Sequence, residues 1–207
     1  MIFFDILIAM NLWTTEVASE RKLDRIGLLP LGEVSSELLT WLGAELEKRF
    51  YARVEELPAL PLPTYAYDAR RKQYHSSVIL SRTGDRQAWN YDKVLMVVDV
   101  DLFVPSLNFV FGEAESPGKM ALISLTRLRQ EFYGLPPDEQ LFRERTLKEA
   151  LHELGHTYGM KHSQNPDCVM YFSNSLADTD KKRADFSRCQ DVLKGLEPVI
   201  RQDSRPS

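Results

Sequence analysis

Residues 152–162 read HELGHTYGMKH, which puts three of the chain's four histidines into eleven positions. On a helix, His152 and His156 lie one turn apart and project from the same side, with Cβ atoms about 5–6 Å apart. Two imidazoles at that spacing can share one tetrahedral metal ion. Glu153 is one residue further round, too displaced to be a third ligand but placed to hold a water that the metal also holds. Gly159 takes a left-handed conformation at little cost, so the chain can leave the helix sharply there and bring His162 back toward the metal. Zinc catalysis needs three protein ligands and one open position. With this composition the whole pattern H-E-x-x-H-x-x-G-x-x-H arises by chance in on the order of one chain in 10⁵. The expectation is a catalytic zinc held by His152, His156 and His162, with Glu153 as general base. His75 stands alone and receives no role.

The remaining residues have to build a scaffold for that helix. At 207 residues, 43% hydrophobic and 27% charged, the chain has the size and composition of one ordinary globular domain. Its formal net charge of -4 points away from nucleic acid and anionic membrane as partners. The basic run Lys181-Lys182-Arg183, flanked by Asp180 and Asp185, reads as a solvated face. The apolar start MIFFDILIAMNLW has no basic n-region, carries Asp5, and is too short to span a bilayer. It reads as a first buried strand. Two cysteines make no disulfide framework, and a cytoplasmic monomer is expected.

Val34, Leu38, Leu42 and Leu46, four apart, mark an amphipathic helix with Ser35 or Ser36 as N-cap. Val54 begins a short strand that ends at the proline cluster Pro58, Pro61 and Pro63. KVLMVVDVDLF reads as a central strand, NFVFGEA as another, and MALISL (Met120 to Leu125) follows a turn at ESPGK. Pro136, Pro137 and Asp138 announce a long helix running to about Tyr158, with Gly159 at its C-terminal cap. A short helix candidate lies near Val192. The pattern predicts an α/β fold, a single domain over 1–207 with an upper lobe at 1–162 and a small C-terminal lobe at 163–207.

His152 to His162 matches the long zinc motif of the metzincin metallopeptidases, and Met170 stands where that clan has its Met-turn. DVDLFVPSLNFVFGEA, LFRERTLKEALHELGHTYG and PDCVMYFSNSLADTDKKRADF are similar to blocks of the archaemetzincin family. The resemblance implies a metzincin-type zincin fold: a twisted mixed sheet with an antiparallel edge strand, a backing helix and an active-site helix. MALISL is the candidate edge strand, onto which an extended peptide could add. The implied activity is zinc-dependent hydrolysis of peptide or protein substrates, with a zinc-held water activated by Glu153. The alternative is an inactive zinc-binding or peptide-binding protein that retains the fold.

The chain departs from the family where archaemetzincins carry a second, structural zinc on four cysteines. Those positions hold Ser163, Cys168, Ser187 and Gln190 here. Serine and glutamine cannot supply thiolate, so the second zinc is expected to be absent. Cys168 and Cys189 are expected as unpaired thiols in a reducing compartment, a disulfide being the lesser alternative. Tyr171 directly follows Met170, a position that makes it a wall or core residue rather than a catalytic one.

Overall fold

The computed structural model describes residues 23–87, 90–196 and 199–200. The apolar stretch expected as a first strand lies outside them. The first described strand is β1 (Asp24–Leu31), which the sequence reading missed because Gly27 and Pro30 interrupt its apolar run. Pro30 is tolerated because the pairing with β2 (Ala52–Glu56) stops at Leu28. The main sheet runs β2-β1-β5-β8-β7, where β5 is Lys93–Val98, β8 is Met120–Ser124 and β7 is Gly112–Ala114. The first four are parallel, and β7 is antiparallel to β8.

The alternation of side chains along β5 and β8 explains the layers. Leu95, Val97, Ala121 and Ile123 point into one apolar cluster, whereas Val94, Met96, Met120 and Leu122 point into another. Helices α1 (Ser36–Glu47) and α3 (Glu139–Thr157) supply the first cluster, and α2 (Ser76–Gln87) contributes Ile79 and Leu80 to the second. α1 starts as expected: the Ser35 side chain accepts from the Leu38 amide and Leu38, Leu42 and Leu46 are buried. α2 and the strands β3 (Tyr67–Asp68) and β4 (Gln73–His75) went unread in the sequence, their apolar runs being too short for a periodicity. KVLMVVDVDLF, read as one strand, divides into β5 and β6 (Leu102–Phe103), which joins β3 and β4 in a small sheet β3-β4-β6.

Two expectations are corrected. MALISL is not the edge strand: β8 is hydrogen-bonded to β5 on one side and to β7 on the other, and all five of its residues are buried. The edge is β7, whose three residues are half-exposed. Nor is there a helix near Val192. The segment there is made of tight turns such as Val192 N–H to Cys189 O, and the helix of the C-terminal part is α4 (Leu176–Lys181). α4 is held to α3 by Arg145, which donates to both carboxylate oxygens of Asp180 at 2.6 and 2.7 Å. Among the described residues no helix is long and apolar enough to cross a membrane.

Candidate metal centre

The site is built on the last turn of α3. Asp138 caps the start of this helix, accepting from the Leu141 amide at 2.9 Å. Its end is a Schellman turn. Gly159, at φ +90°, lets its own N–H reach His156 O at 2.8 Å, and the Met160 N–H reaches Gly155 O at 3.1 Å. That reversal aims the Met160 carbonyl back at the helix, where His156 Nδ1 meets it at 2.8 Å. His152 Nδ1 lies 2.8 Å from the carbonyl of Val169, in the segment that returns beneath the helix.

These two contacts fix the chemistry of the other ring nitrogens. A carbonyl oxygen only accepts, so each Nδ1 carries the proton and each Nε2 presents a lone pair. Yet His156 Nε2 lies 3.1 Å from His152 Nε2 and 3.2 Å from His162 Nε2. Two lone pairs facing one another at that distance repel unless a cation lies between them. One tetrahedral zinc about 2.0–2.1 Å from each nitrogen would space its ligands about 3.3 Å apart, so the triad fits such an ion. His152, His156 and His162 are the group that could hold it, with ligand atoms all within 4.8 Å of one another. Burial holds the His152 imidazole well below its ordinary pKa, with Lys182 and His156 adding to it. His156 and His162 are lowered by burial too. Neutral imidazoles are the ligating form.

Glu153 is buried beside the triad and faces a pocket of about 220 Å³. Gly112, on the edge strand, makes its space: a Cβ there would stand 2.6 Å from Glu153 Cγ. Burial pushes the Glu153 carboxyl well above the usual glutamate range, Glu149 adds to the rise, and Lys182 opposes it. Met170 is fully buried under the helix, and a Cβ on Gly155 would meet its sulfur at 2.5 Å. The absence of a side chain at Gly155 thus lets the methionine approach the helix backbone between the two histidine turns. Tyr171 is half-buried, while Phe172 is exposed and packs its ring 5.0 Å from that of His162.

A model of peptidase family M54 matches residues 48–197. The chain belongs to this family. Archaemetzincins from Methanocaldococcus jannaschii and Pyrococcus furiosus are 46% and 43% identical to it, each match covering 84% of this chain and 93% of the relative. A crystal structure of the archaemetzincin of Archaeoglobus fulgidus, complexed with malonate, superposes with a TM-score of 0.69 at 40% identity, covering 79% of this chain and 96% of that one. The archaemetzincin of Methanopyrus kandleri gives 0.71 at 34% identity, covering 83% and 94%. This member of the archaemetzincin family is therefore a zinc metallopeptidase, a hydrolase that acts on peptides or proteins, and its fold is the mixed α/β fold of its relatives.

At the four positions where the family resemblance implies cysteine ligands, this chain makes other contacts. Cys168 and Cys189 are bonded to each other across 21 residues, against the expectation of unpaired thiols. Their Cα atoms stand 5.0 Å apart, within the range a disulfide spans, and both residues are fully buried. Ser163 Oγ donates to the Asp191 carboxylate at 2.8 Å. Ser187 Oγ bonds Asp185, and the Gln190 side chain bonds the Ser187 carbonyl.

The sequence reading also missed polar residues of the pocket. Glu149 lies one helical turn before Glu153 and is 3% exposed. The spacing Glu149, His152, Glu153, His156 follows a single helix face and could have found it. Lys182, assigned to a solvated run, is 2% exposed, whereas its neighbours Lys181 and Arg183 do face solvent. Nothing local distinguishes Lys182 from them. Only the return of the chain across α3 does.

Proposed function

We propose that the chain, acting as one metzincin-type domain, hydrolyses peptide bonds with His152, His156 and His162 holding a single zinc ion and Glu153 handling the proton. The observation that carries this reading is the pair of proton-bearing Nδ1 atoms, which leaves unprotonated Nε2 atoms converging beside a buried carboxyl. A bound zinc supplies Lewis acidity, making a water acidic and a carbonyl electrophilic. Glu153 takes one proton of the attacking water, whose oxygen bonds the scissile carbonyl carbon. It then delivers that proton to the leaving nitrogen as the C–N bond breaks. A carboxyl buried beside the three imidazoles is placed for both steps. Met170 supports the histidines by packing.

An extended substrate would pair with the outer edge of β7. At the four positions of the family's second site the contacts are internal, and none offers a free thiolate, which supports one zinc per chain. The protein is read as a cytoplasmic monomer without nucleic-acid or membrane partners.

The test compares Glu153→Ala with His156→Ala in purified, zinc-loaded protein incubated with a mixed peptide library. Glu153→Ala should lose about 10²–10⁴-fold in hydrolysis while keeping its zinc. His156→Ala should lose both. Equal zinc loss in the two variants would make Glu153 a ligand and end this assignment. A wild type that holds zinc but cleaves nothing would favour the inactive, binding form of the fold.

A further inference from the structure

Lys182 is the C-terminal cap of α4, and its side chain runs inward to the pocket beside Glu153 with none of its surface exposed. Its ammonium has no hydrogen-bond partner. The closest carboxylate oxygen, Glu149 Oε1, stands 3.9 Å away and already accepts from Thr179 Oγ1 at 3.0 Å. A buried ammonium without an acceptor is costly, and such groups are retained where a ligand completes them. The pocket's other titratable walls are Glu149, Glu153 and His152, with Phe109 and Phe172 forming apolar sides.

Glu153 gives its proton to the leaving nitrogen, so the substrate segment that carries this nitrogen passes on the Glu153 side. In such a pose the first side chain of that segment would be directed into the pocket that Glu153 and Lys182 line. We infer that Lys182 is a specificity-determining residue, which accepts the side-chain carboxylate of an aspartate or glutamate immediately following the scissile bond. The inference rests on the peptidase reading above. An anionic side chain supplies the acceptor that the ammonium lacks. A lysine or arginine there would face Lys182, and a large apolar side chain would leave the ammonium unpaired.

The test has two arms, so that failure of the inference is separable from failure of the peptidase reading. In the first, zinc-loaded wild type is given quenched fluorescent peptides that differ only in having Glu, Gln, Leu or Lys after the cleaved bond. The wild type should prefer Glu over Gln by about tenfold or more in kcat/KM, the scale of a charge-assisted hydrogen bond in a desolvated site. Lys182→Met should bring that ratio to about one. Because Lys182→Met leaves Glu149 buried beside no cation, the double variant Glu149→Gln/Lys182→Met is measured alongside it, with melting temperature and zinc content as folding controls.

In the second arm, binding of peptide hydroxamates bearing Glu or Gln at the same position is measured by calorimetry, which needs no turnover. The same ratios are expected there. A wild-type ratio near one in the binding arm, a preference for Lys, or a Glu preference that survives in both folded variants overturns the inference. Absence of cleavage with an intact binding preference instead overturns the peptidase reading and leaves the Lys182 assignment standing.

Discussion

The histidine triad and the segment around Ser163, Cys168 and Cys189 are neighbours that solve the same problem in opposite ways. Each gathers polar or sulfur-bearing side chains into a small volume. At the triad, backbone carbonyls consume the Nδ1 protons of His152 and His156 and leave their Nε2 lone pairs facing one another at 3.1 Å, with His162 Nε2 3.2 Å from that of His156. The arrangement is complete only with a cation. Around Ser163 every group is already satisfied: the two sulfurs by each other, the serine hydroxyl by Asp191. The difference teaches that a metal site is recognised less by residue types than by unfinished bonding.

Chelation should separate the two regions most. Removing zinc should abolish hydrolysis completely while the C-terminal segment keeps its fold, read as unchanged amide exchange over residues 163–196. Loss of protection there would show that the segment needs metal. Cutting the cross-link should do the converse. A Cys168→Ala/Cys189→Ala variant closes no 21-residue loop and should lose about 3 kcal/mol in denaturant unfolding, with zinc still bound. An unchanged midpoint would mean that the cross-link contributes nothing.

Acid should separate the regions further. The triad imidazoles titrate below 6.5 when folded and near it when unfolded, so the unfolded chain binds protons first as pH falls. Stability of the metal-free protein is therefore full above about pH 6.5. Below that it should decline by about 1.4 kcal/mol per pH unit for each of His152 and His156 while still held neutral, the exposed His162 adding less because solvent screens it. The decline continues until the folded pKa values are reached. A flat profile between pH 7 and 5 would contradict the burial argument. The smallest effect is expected from Met170→Leu, a swap of similar volume costing under about 1.5 kcal/mol with zinc retained. Loss of metal in that folded variant would show that the methionine does more than pack.

Much of this was legible beforehand because it is local. The register of His152, Glu153 and His156, the glycine reversal and the start of α3 at Asp138 each depend on a few adjacent residues. What was not legible depends on distant chain. MALISL and NFVFGEA are both apolar, and only which strands pair with them decides which is the edge. The burial of Lys182, read in the sequence as part of a solvated face, and that of Arg145 and Lys148 follow from α4 crossing α3. The pairing of Cys168 with Cys189 likewise depends on how the turns between them fold back.

The half-exposed edge strand Gly112–Ala114 carries a consequence for what this peptidase can digest. A main chain can join that edge only if its own amides and carbonyls are free, and in a folded protein most are already engaged in helices or sheets. With only three residues in the strand, the ladder offered to a newcomer is too short to pull such a structure apart. Segments that are already loose, such as termini, long loops and damaged or unfinished chains, meet the condition without help. The geometry of a single short strand would then act as a sensor of foldedness, sparing intact proteins whatever side chains they display.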